Sequence, residues 1–320
     1  MTLRVVFCAR ETTAQVWAEA LHSALCQRGV DADVWTRNAD LAAADVHAPQ
    51  ADVAVVWRPP PALFDEQHHL RAVFNLGAGV DALLALPTFP PDVALFRLED
   101  AGMARTLSEY VLAAVLRVYR RFDRYAQSQS ERRWQPETLP ARERYSVGVA
   151  GLGVIGAAIA ADLARQGFAV RGHARSRGQI DGVDCRAGEV EWASFLDGLD
   201  VLVSVLPATD ATRGRLDRPA LQRLARGAHV INVGRGSVLA EADLLALLDA
   251  GHLSGATLDV FATEPLPPDH PFWSRPEIVI TPHVAAETEL APAIAQVAEK
   301  LERWTRGAAV SGAVDRSRGY

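Results

Sequence analysis

VGVAGLGVIGAA, residues 147–158, is the stretch on which the fold of this chain turns. Its first residues read as a short buried strand, and Gly151, Gly153 and Gly156 then fall at G-x-G-x-x-G spacing. The continuation GVIGAAIAADLARQ has helical periodicity. In such a strand–turn–helix the first glycine permits the tight turn, and the second lets backbone approach a pyrophosphate. The third allows the helix to pack closely on the strand. Free N–H groups at the helix start add partial positive charge. A bare glycine motif would also serve as an ordinary turn. This context favours dinucleotide binding at Gly151, Gly153, Val154, Ile155 and Gly156.

The following strand, FAVRGH, leads into GHARSR (172–177). An NAD site normally places an acidic residue there for the ribose hydroxyls, and this chain has Ala174, Arg175, Ser176 and Arg177 instead. An acid would repel the 2′-phosphate of NADP, whereas an arginine fork and a serine hydroxyl can bind it. The alternative is that these arginines are merely solvated. The missing acid favours NADP (NADPH) as cofactor, with NAD possible.

Working outward, short valine-rich runs recur from the start: RVVFC (4–8), VDADVW (30–35), ADVAVVW (51–57), RAVFNL (71–76) and DVALFRL (92–98). TTAQVWAEALHSALCQRG between the first two is helical in period and closes on Gly29. Strands alternating with helices imply a parallel sheet covered on both faces. A helical pattern from Ala104 to Ser130 follows, with Leu107, Val111, Leu112, Val115, Leu116 and Tyr119 on its apolar side. Its length suits a bridge between domains or a subunit interface. ERRWQPETLPARERY reads as a crossing loop. A second alternating series then runs through SVGVAG, FAVRGH, DVLVSVLP, AHVINVG, GATLDV and EIVITPH, before a final helix, ELAPAIAQVAEKLERW. The fold class is therefore α/β.

The chain's 320 residues suffice for about two domains. Hydrophobic residues make up 49% and charged residues 22%, as in an ordinary soluble globular protein. A net charge of −6 argues against bulk attraction to nucleic acid or an anionic membrane. Lys300 is the only lysine. Cys8, Cys26 and Cys185 are widely spaced, so neither a disulfide framework nor a metal site is expected. The N-terminus lacks the long apolar run of a signal peptide, and no stretch is long enough to cross a bilayer. A cytoplasmic location is expected.

Three later segments each place a polar group after a strand, at the carboxyl edge where open α/β sheets bind ligands. These are Arg235 in INVGRG, Asp259 and Glu264 in TLDVFATEP, and His283 in VITPHVA. Singly, each has a structural explanation. Beside a nicotinamide they acquire roles in reducing a 2-oxo acid. Arg235 can hold the carboxylate and polarise the carbonyl, and His283 can supply the proton. Glu264 can favour the charged imidazole and fix its orientation.

GLGVIG (151–156), INVGRGSVL (231–239), LDVFATEPLP (258–267), HPFW (270–273) and TPHVA (281–285) occur in the order and spacing of the D-isomer-specific 2-hydroxyacid dehydrogenases. The chain resembles this family over essentially its whole length. YRRFDRY (119–125), RRWQP (132–136), the ARSR segment and the ending VDRSRGY (314–320) are similar to its glyoxylate/hydroxypyruvate reductase branch.

The resemblance implies two doubly wound parallel-sheet domains flanking an interdomain cleft. A discontinuous, flavodoxin-like substrate domain would comprise 1–99 and 288–320, and a Rossmann coenzyme domain 100–287. It implies an NADPH-preferring reductase of glyoxylate and hydroxypyruvate that yields D-2-hydroxy acids, with Arg235, Glu264 and His283 catalytic. The amides of Ala78 and Gly79 in NLGAGVD would hold the substrate carboxylate, and Trp57 and Arg58 would line the site. Pro207, Thr212, Val233, Gly234, Asp259 and Ala285 would flank the cofactor. The long helix and RRWQP loop would form a homodimer interface from which Trp134 reaches the partner's active site, although Trp134 could equally pack on its own chain. The rival readings are an NADH-using enzyme of a bulkier 2-oxo acid and a dinucleotide-sensing interaction protein on the same fold.

Overall fold

The computed structural model describes residues 2–45 and 47–319. Met1 and Val46, within the expected 1–99 segment, and Tyr320, which closes VDRSRGY, lie outside the described residues. The chain divides into two compact units, Met1–Gly102 with Thr288–Tyr320, and Met103–Glu287.

In the first unit the valine-rich runs form β1 (Leu3–Ala9), β2 (Ala32–Asn38), β3 (Val53–Val56), β4 (Ala72–Asn75) and β5 (Ala94–Arg97). Among the described residues they make a parallel sheet in the order β2-β1-β3-β4-β5. β3 and β4 are buried along their whole length, which is why they read as unbroken apolar runs rather than alternating ones. The connecting helices are α1 (Glu11–Gln27), α2 (Ala62–Glu66) and α3 (Asp81–Leu84).

The C-terminal helix, Leu290–Thr305, belongs to this unit and packs on α1. There Arg28 and Glu302 pair at 2.8 Å. Lys300 is buried on this helix, and its ammonium donates to the carbonyls of Arg97 at 2.7 Å and Ser311 at 3.0 Å. The Glu99 carboxylate lies 3.3 Å away. Three acceptors thus meet the three protons of the ammonium and tie the C-terminal tail to the end of β5.

The second unit contains β6 (Ser146–Ala150), β7 (Ala169–Ala174), β8 (Val183–Ala187), β9 (Val201–Ser204), β10 (Ala228–Asn232), β11 (Leu253–Leu258) and β12 (Ile278–Ile280). They form a parallel sheet in the order β12-β11-β10-β9-β6-β7-β8. Its helices are α4 (Met103–Tyr119), α5 (Phe122–Ser130), α6 (Val154–Arg165), α7 (Gly188–Leu196), α8 (Arg218–Leu221) and α9 (Glu241–Asp249). The strand order reverses between β6 and β9, which opens a crevice at the carboxyl ends of these two strands. The glycine turn follows β6 directly.

Two features depart from the sequence expectations. The helix expected over Ala104–Ser130 is broken into α4 and α5 by Arg121, whose φ of 61° is left-handed. Tyr119, just before the break, turns into an aromatic group with Tyr145 and Phe168, and its hydroxyl donates to the Pro140 carbonyl at 2.8 Å. Strand β8, VDCRA, was not expected. It lies at the sheet edge, where a half-polar sequence is tolerated and the apolar signal is weak. Among the described residues no helix is long and apolar enough to cross a membrane.

His229 in β10 is buried, with Nε2 3.0 Å from the Thr257 hydroxyl on β11. Burial, with a smaller push from Arg117, pulls its pKa down from 6.5 to about 3. Between these values the unfolded chain binds a proton that the folded one refuses. This histidine's contribution is therefore complete above pH 6.5 and is lost on acidification, at up to about 1.4 kcal/mol per pH unit. Replacing it by His229→Gln is expected to flatten the pH dependence of urea unfolding across that window; an unchanged acid slope would place the sensitivity elsewhere.

Candidate active site

The glycine turn meets the steric demands of its motif. A Cβ on Gly156 would lie 1.7 Å from the Gly151 carbonyl, so only glycine lets α6 come this close to β6. Gly151 has a φ of 101°, and a Cβ there would press on the Val205 carbonyl at 3.0 Å. Gly153, by contrast, faces open space. It caps α6 without any side-chain acceptor, and Val154 beside it is exposed. A helix start left open and lined by backbone fits a dinucleotide pyrophosphate.

Arg175, Ser176 and Arg177 are exposed on the turn after β7. Arg177 is held by its own unit: it donates to both Glu191 oxygens at 2.5 and 2.6 Å and to the Cys185 carbonyl at 3.0 Å. Glu191 also accepts from the Ala187 amide, and these hydrogen bonds hold its carboxyl below the usual range. Across the crevice, the Thr212 hydroxyl donates to the Pro207 carbonyl and accepts from the Thr209 amide at 2.9 Å, closing the 207–212 loop. The Val233 and Ala285 side chains are buried in the unit's core.

Arg235 follows β10 in a turn fixed on both sides by close backbone approach. A Cβ on Gly234 would lie 2.6 Å from the Leu206 carbonyl, and one on Gly236 would lie 1.9 Å from the Phe261 backbone. The wholly buried Asn232 amide accepts from Gly234 N–H at 3.3 Å and donates to the Arg235 carbonyl at 3.0 Å. The Arg235 Cα therefore has little freedom, although its long side chain remains half-buried.

The Phe261 loop against which Gly236 packs also carries Glu264. One Glu264 oxygen accepts from the Phe261 amide at 3.1 Å, and the other lies 2.7 Å from His283 Nδ1. A carboxylate can only accept, so Nδ1 carries the proton of this hydrogen bond. Glu241, at the start of α9, adds support by accepting from the Ala262 amide at 3.0 Å. Its other oxygen lies 3.4 Å from His270 of the HPFW segment.

Asp259, at the end of β11, is 2% exposed. Its oxygens accept from the Thr281 hydroxyl at 2.6 Å and from the Val284 and Ala285 amides, each at 2.9 Å. These bonds fasten the turn that presents His283. The structure thus joins Arg235, Asp259, Glu264 and His283 through adjacent strand ends and shared backbone contacts.

In the first unit, Trp57 follows β3, and its ring lies against Gly77, where a Cβ would meet it at 2.6 Å. Arg58 has a φ of 50° and lies 5.7 Å from the Trp57 ring centroid. The buried Asn75 amide donates to the Gly77 and Gly79 carbonyls at 3.1 and 2.9 Å. In a trans peptide the carbonyl and the next N–H point in opposite directions. The Ala78 N–H is therefore turned away from Asn75. Trp134 is fully exposed and does not pack on its own chain. Sequence reasoning missed Asn75, Asn232, Thr281 and Glu241. Asparagine ending an apolar strand before a glycine turn was the available signal for the first two, while the others touch the site only through folding.

The family model of the D-isomer specific 2-hydroxyacid dehydrogenase NAD binding domain matches residues 112–285. A glyoxylate/hydroxypyruvate reductase A from Serratia proteamaculans is 46% identical over 275 residues, covering 84% of this chain and 88% of that relative. A D-isomer specific 2-hydroxyacid dehydrogenase from Xanthobacter autotrophicus Py2, solved with NADPH and MES, has a TM-score of 0.90 and 38% identity, with complete coverage of both chains. An NADPH-dependent glyoxylate/hydroxypyruvate reductase from Sinorhizobium meliloti, solved with NADP and sulfate, has a TM-score of 0.88 and 33% identity, also with complete coverage.

Removing the Asn232 amide leaves the buried Gly234 N–H and the half-buried Arg235 carbonyl without their partner. Asn232→Ala is expected to lower unfolding free energy by about 1–3 kcal/mol, read by chemical denaturation; an undiminished stability would show that the amide does not hold the Arg235 turn.

Proposed function

Since the chain belongs to the D-isomer-specific 2-hydroxyacid dehydrogenase family, we propose that it is an NADPH-preferring reductase that converts glyoxylate and hydroxypyruvate to the D-2-hydroxy acids. The observation that carries this reading is the His283–Glu264 pair at 2.7 Å, on the loop system against which the Arg235 turn packs. Relatives named as glyoxylate/hydroxypyruvate reductases support the substrate class. Neighbours solved with NADPH or NADP support the cofactor.

When bound, the nicotinamide supplies the hydride for the substrate carbonyl carbon. Arg235 binds the 2-oxo acid by its carboxylate and draws charge from the carbonyl oxygen. His283 donates the Nε2 proton to that oxygen while Glu264 holds Nδ1–H and balances the imidazolium charge. The Ala78 and Gly79 amides are assigned to the carboxylate, with Trp57 and Arg58 beside them. The first unit is accordingly assigned as the substrate domain and the second as the coenzyme domain. The glycine turn holds the pyrophosphate, while Pro207, Thr212, Val233, Gly234, Asp259 and Ala285 flank the cofactor. Arg175 and Ser176 read the 2′-phosphate. Arg177, already bound to Glu191, shapes their turn.

The exposure of Trp134 and Phe122, with no buried residue on α5, supports a homodimer through this region. In that dimer Trp134 reaches the substrate site of the second copy. Free, widely spaced cysteines support a cytoplasmic location.

The primary test is steady-state reduction of glyoxylate and hydroxypyruvate with NADPH and with NADH. Turnover with a strong NADPH preference is expected, and absence of turnover with both acids would refute the assignment. His283→Ala is expected to lower kcat by about 10²–10⁴-fold in a folded protein. For the cofactor, Arg175→Ala is expected to raise the KM for NADPH by about 10–100-fold, the size of a lost charge-assisted hydrogen bond, with little change for NADH. Equal changes for both cofactors would mean that Arg175 does not read the phosphate.

A further inference from the structure

His283 has a backbone φ of 58°, in the left-handed region that a residue with a side chain seldom adopts. Such a conformation persists only where its surroundings over-determine it. Here they do so from both flanks. On the near side the His283 amide donates to the Thr281 carbonyl at 3.0 Å. On the far side the Val284 and Ala285 amides are held by the two oxygens of Asp259. The Thr281 hydroxyl donates to the same carboxylate at 2.6 Å and so fixes the position at which the turn leaves β12.

The chain of bonds continues outward. The Tyr110 hydroxyl, on α4, lies 2.7 Å from Thr281 Oγ1. The direction of this bond follows from proton counting. A threonine hydroxyl has one proton, and Asp259, an acceptor when ionised, takes it. Tyr110 must therefore be the donor to Thr281, which is donor to Asp259. Tyr110 is half-buried, and burial, reinforced by the negative charge of Asp259, raises its pKa, so it keeps the proton this arrangement requires. All four residues belong to the second unit, so the relay runs within one folded body.

We propose that Tyr110 and Thr281 are positioning residues for the reaction: their hydroxyls form a directed relay into Asp259 that holds His283 in its left-handed turn, with Nδ1 on Glu264 and Nε2 toward the substrate. This rests on the reading of His283 as the proton donor. Neither hydroxyl touches substrate or exchanges a proton with it. The relay restricts where the imidazole can stand, so its loss slows proton delivery rather than weakening binding.

The test is a comparison of Thr281→Val, Thr281→Ser, Tyr110→Phe and His283→Ala in the full-length protein with NADPH and glyoxylate. Thr281→Val keeps the side-chain shape and removes the hydroxyl. It is expected to lower kcat by about tenfold or more, with KM for acid and cofactor within about twofold, since small misplacement of a reacting group has effects of this order. The solvent deuterium isotope effect on kcat is expected to rise, because proton transfer becomes more rate-limiting. Thr281→Ser restores the hydroxyl and is expected to recover most of the turnover. Tyr110→Phe is expected to give a smaller fall in kcat with the same sign in the isotope effect.

If His283→Ala is inactive while Thr281→Val and Tyr110→Phe keep wild-type kcat and isotope effect, the relay is overturned and the proton-donor reading stands. Near-normal turnover in folded His283→Ala overturns that reading and the relay with it. Should Thr281→Val not fold, Tyr110→Phe decides alone: an unchanged kcat and isotope effect reject the relay, and a lowered kcat with a raised isotope effect supports it. A change confined to KM in the variants also rejects it.

Discussion

The Asp259 carboxylate is the constraint on which the site depends. It sits at the end of β11 with almost no solvent contact, and three donors surround it: one hydroxyl and two backbone amides. A buried carboxylate is tolerated only with such partners. All three donors come from the turn after β12, so satisfying the charge fastens one strand end to the next. His283 lies inside that turn, and its φ of 58° is a consequence of the fastening. Glu264 leaves the same end of β11 a few residues later and meets His283 from the other side. The contact between His283 and Glu264 is thus arranged by a third group that touches neither side chain of the pair.

The same economy recurs at two other strand ends. After β4, the buried amide of Asn75 binds the carbonyls of Gly77 and Gly79. After β10, the buried amide of Asn232 binds Gly234 N–H and the Arg235 carbonyl. In both, an asparagine ends an apolar strand and holds the glycine-containing turn that follows. A short amide can donate and accept at once, which suits it to turns whose backbone groups point inward. Rigidity is then needed only at the turn, and the ligand-facing groups can come from backbone or from a long side chain.

The two arginine turns contrast with each other. Gly234 and Gly236 press Arg235 between backbone segments, so its origin is fixed while the side chain extends. The turn after β7 is more open. Arg177 is drawn back onto Glu191, and the ion pair gives shape to a surface segment that would otherwise carry only positive charge. Exposed ion pairs add little stability. The effect of this one is geometric, because with the bond to the Cys185 carbonyl it fixes where the turn after β7 runs.

Periodicity and motif spacing in the sequence determined the α/β class, the switch-point glycine turn, and the candidacy of Arg235, Glu264 and His283. They could do so because buried parallel strands must be apolar and because close backbone approach admits only glycine. The edge strand β8 escaped notice, since an edge makes weaker demands on composition. The break between α4 and α5 also escaped, because Arg121 takes a left-handed conformation that its residue type does not announce. Asn75 and Asn232 left a trace in the sequence, as asparagines that end apolar strands before glycine turns, whereas only the tertiary structure could reveal Glu241, Thr281 and Tyr110 as supports. Tyr110 and Thr281 are separated by 171 positions, and their 2.7 Å contact arises only when α4 packs beside the end of β12. Local pattern reports what a residue prefers; which distant donor meets a buried acceptor is settled by packing.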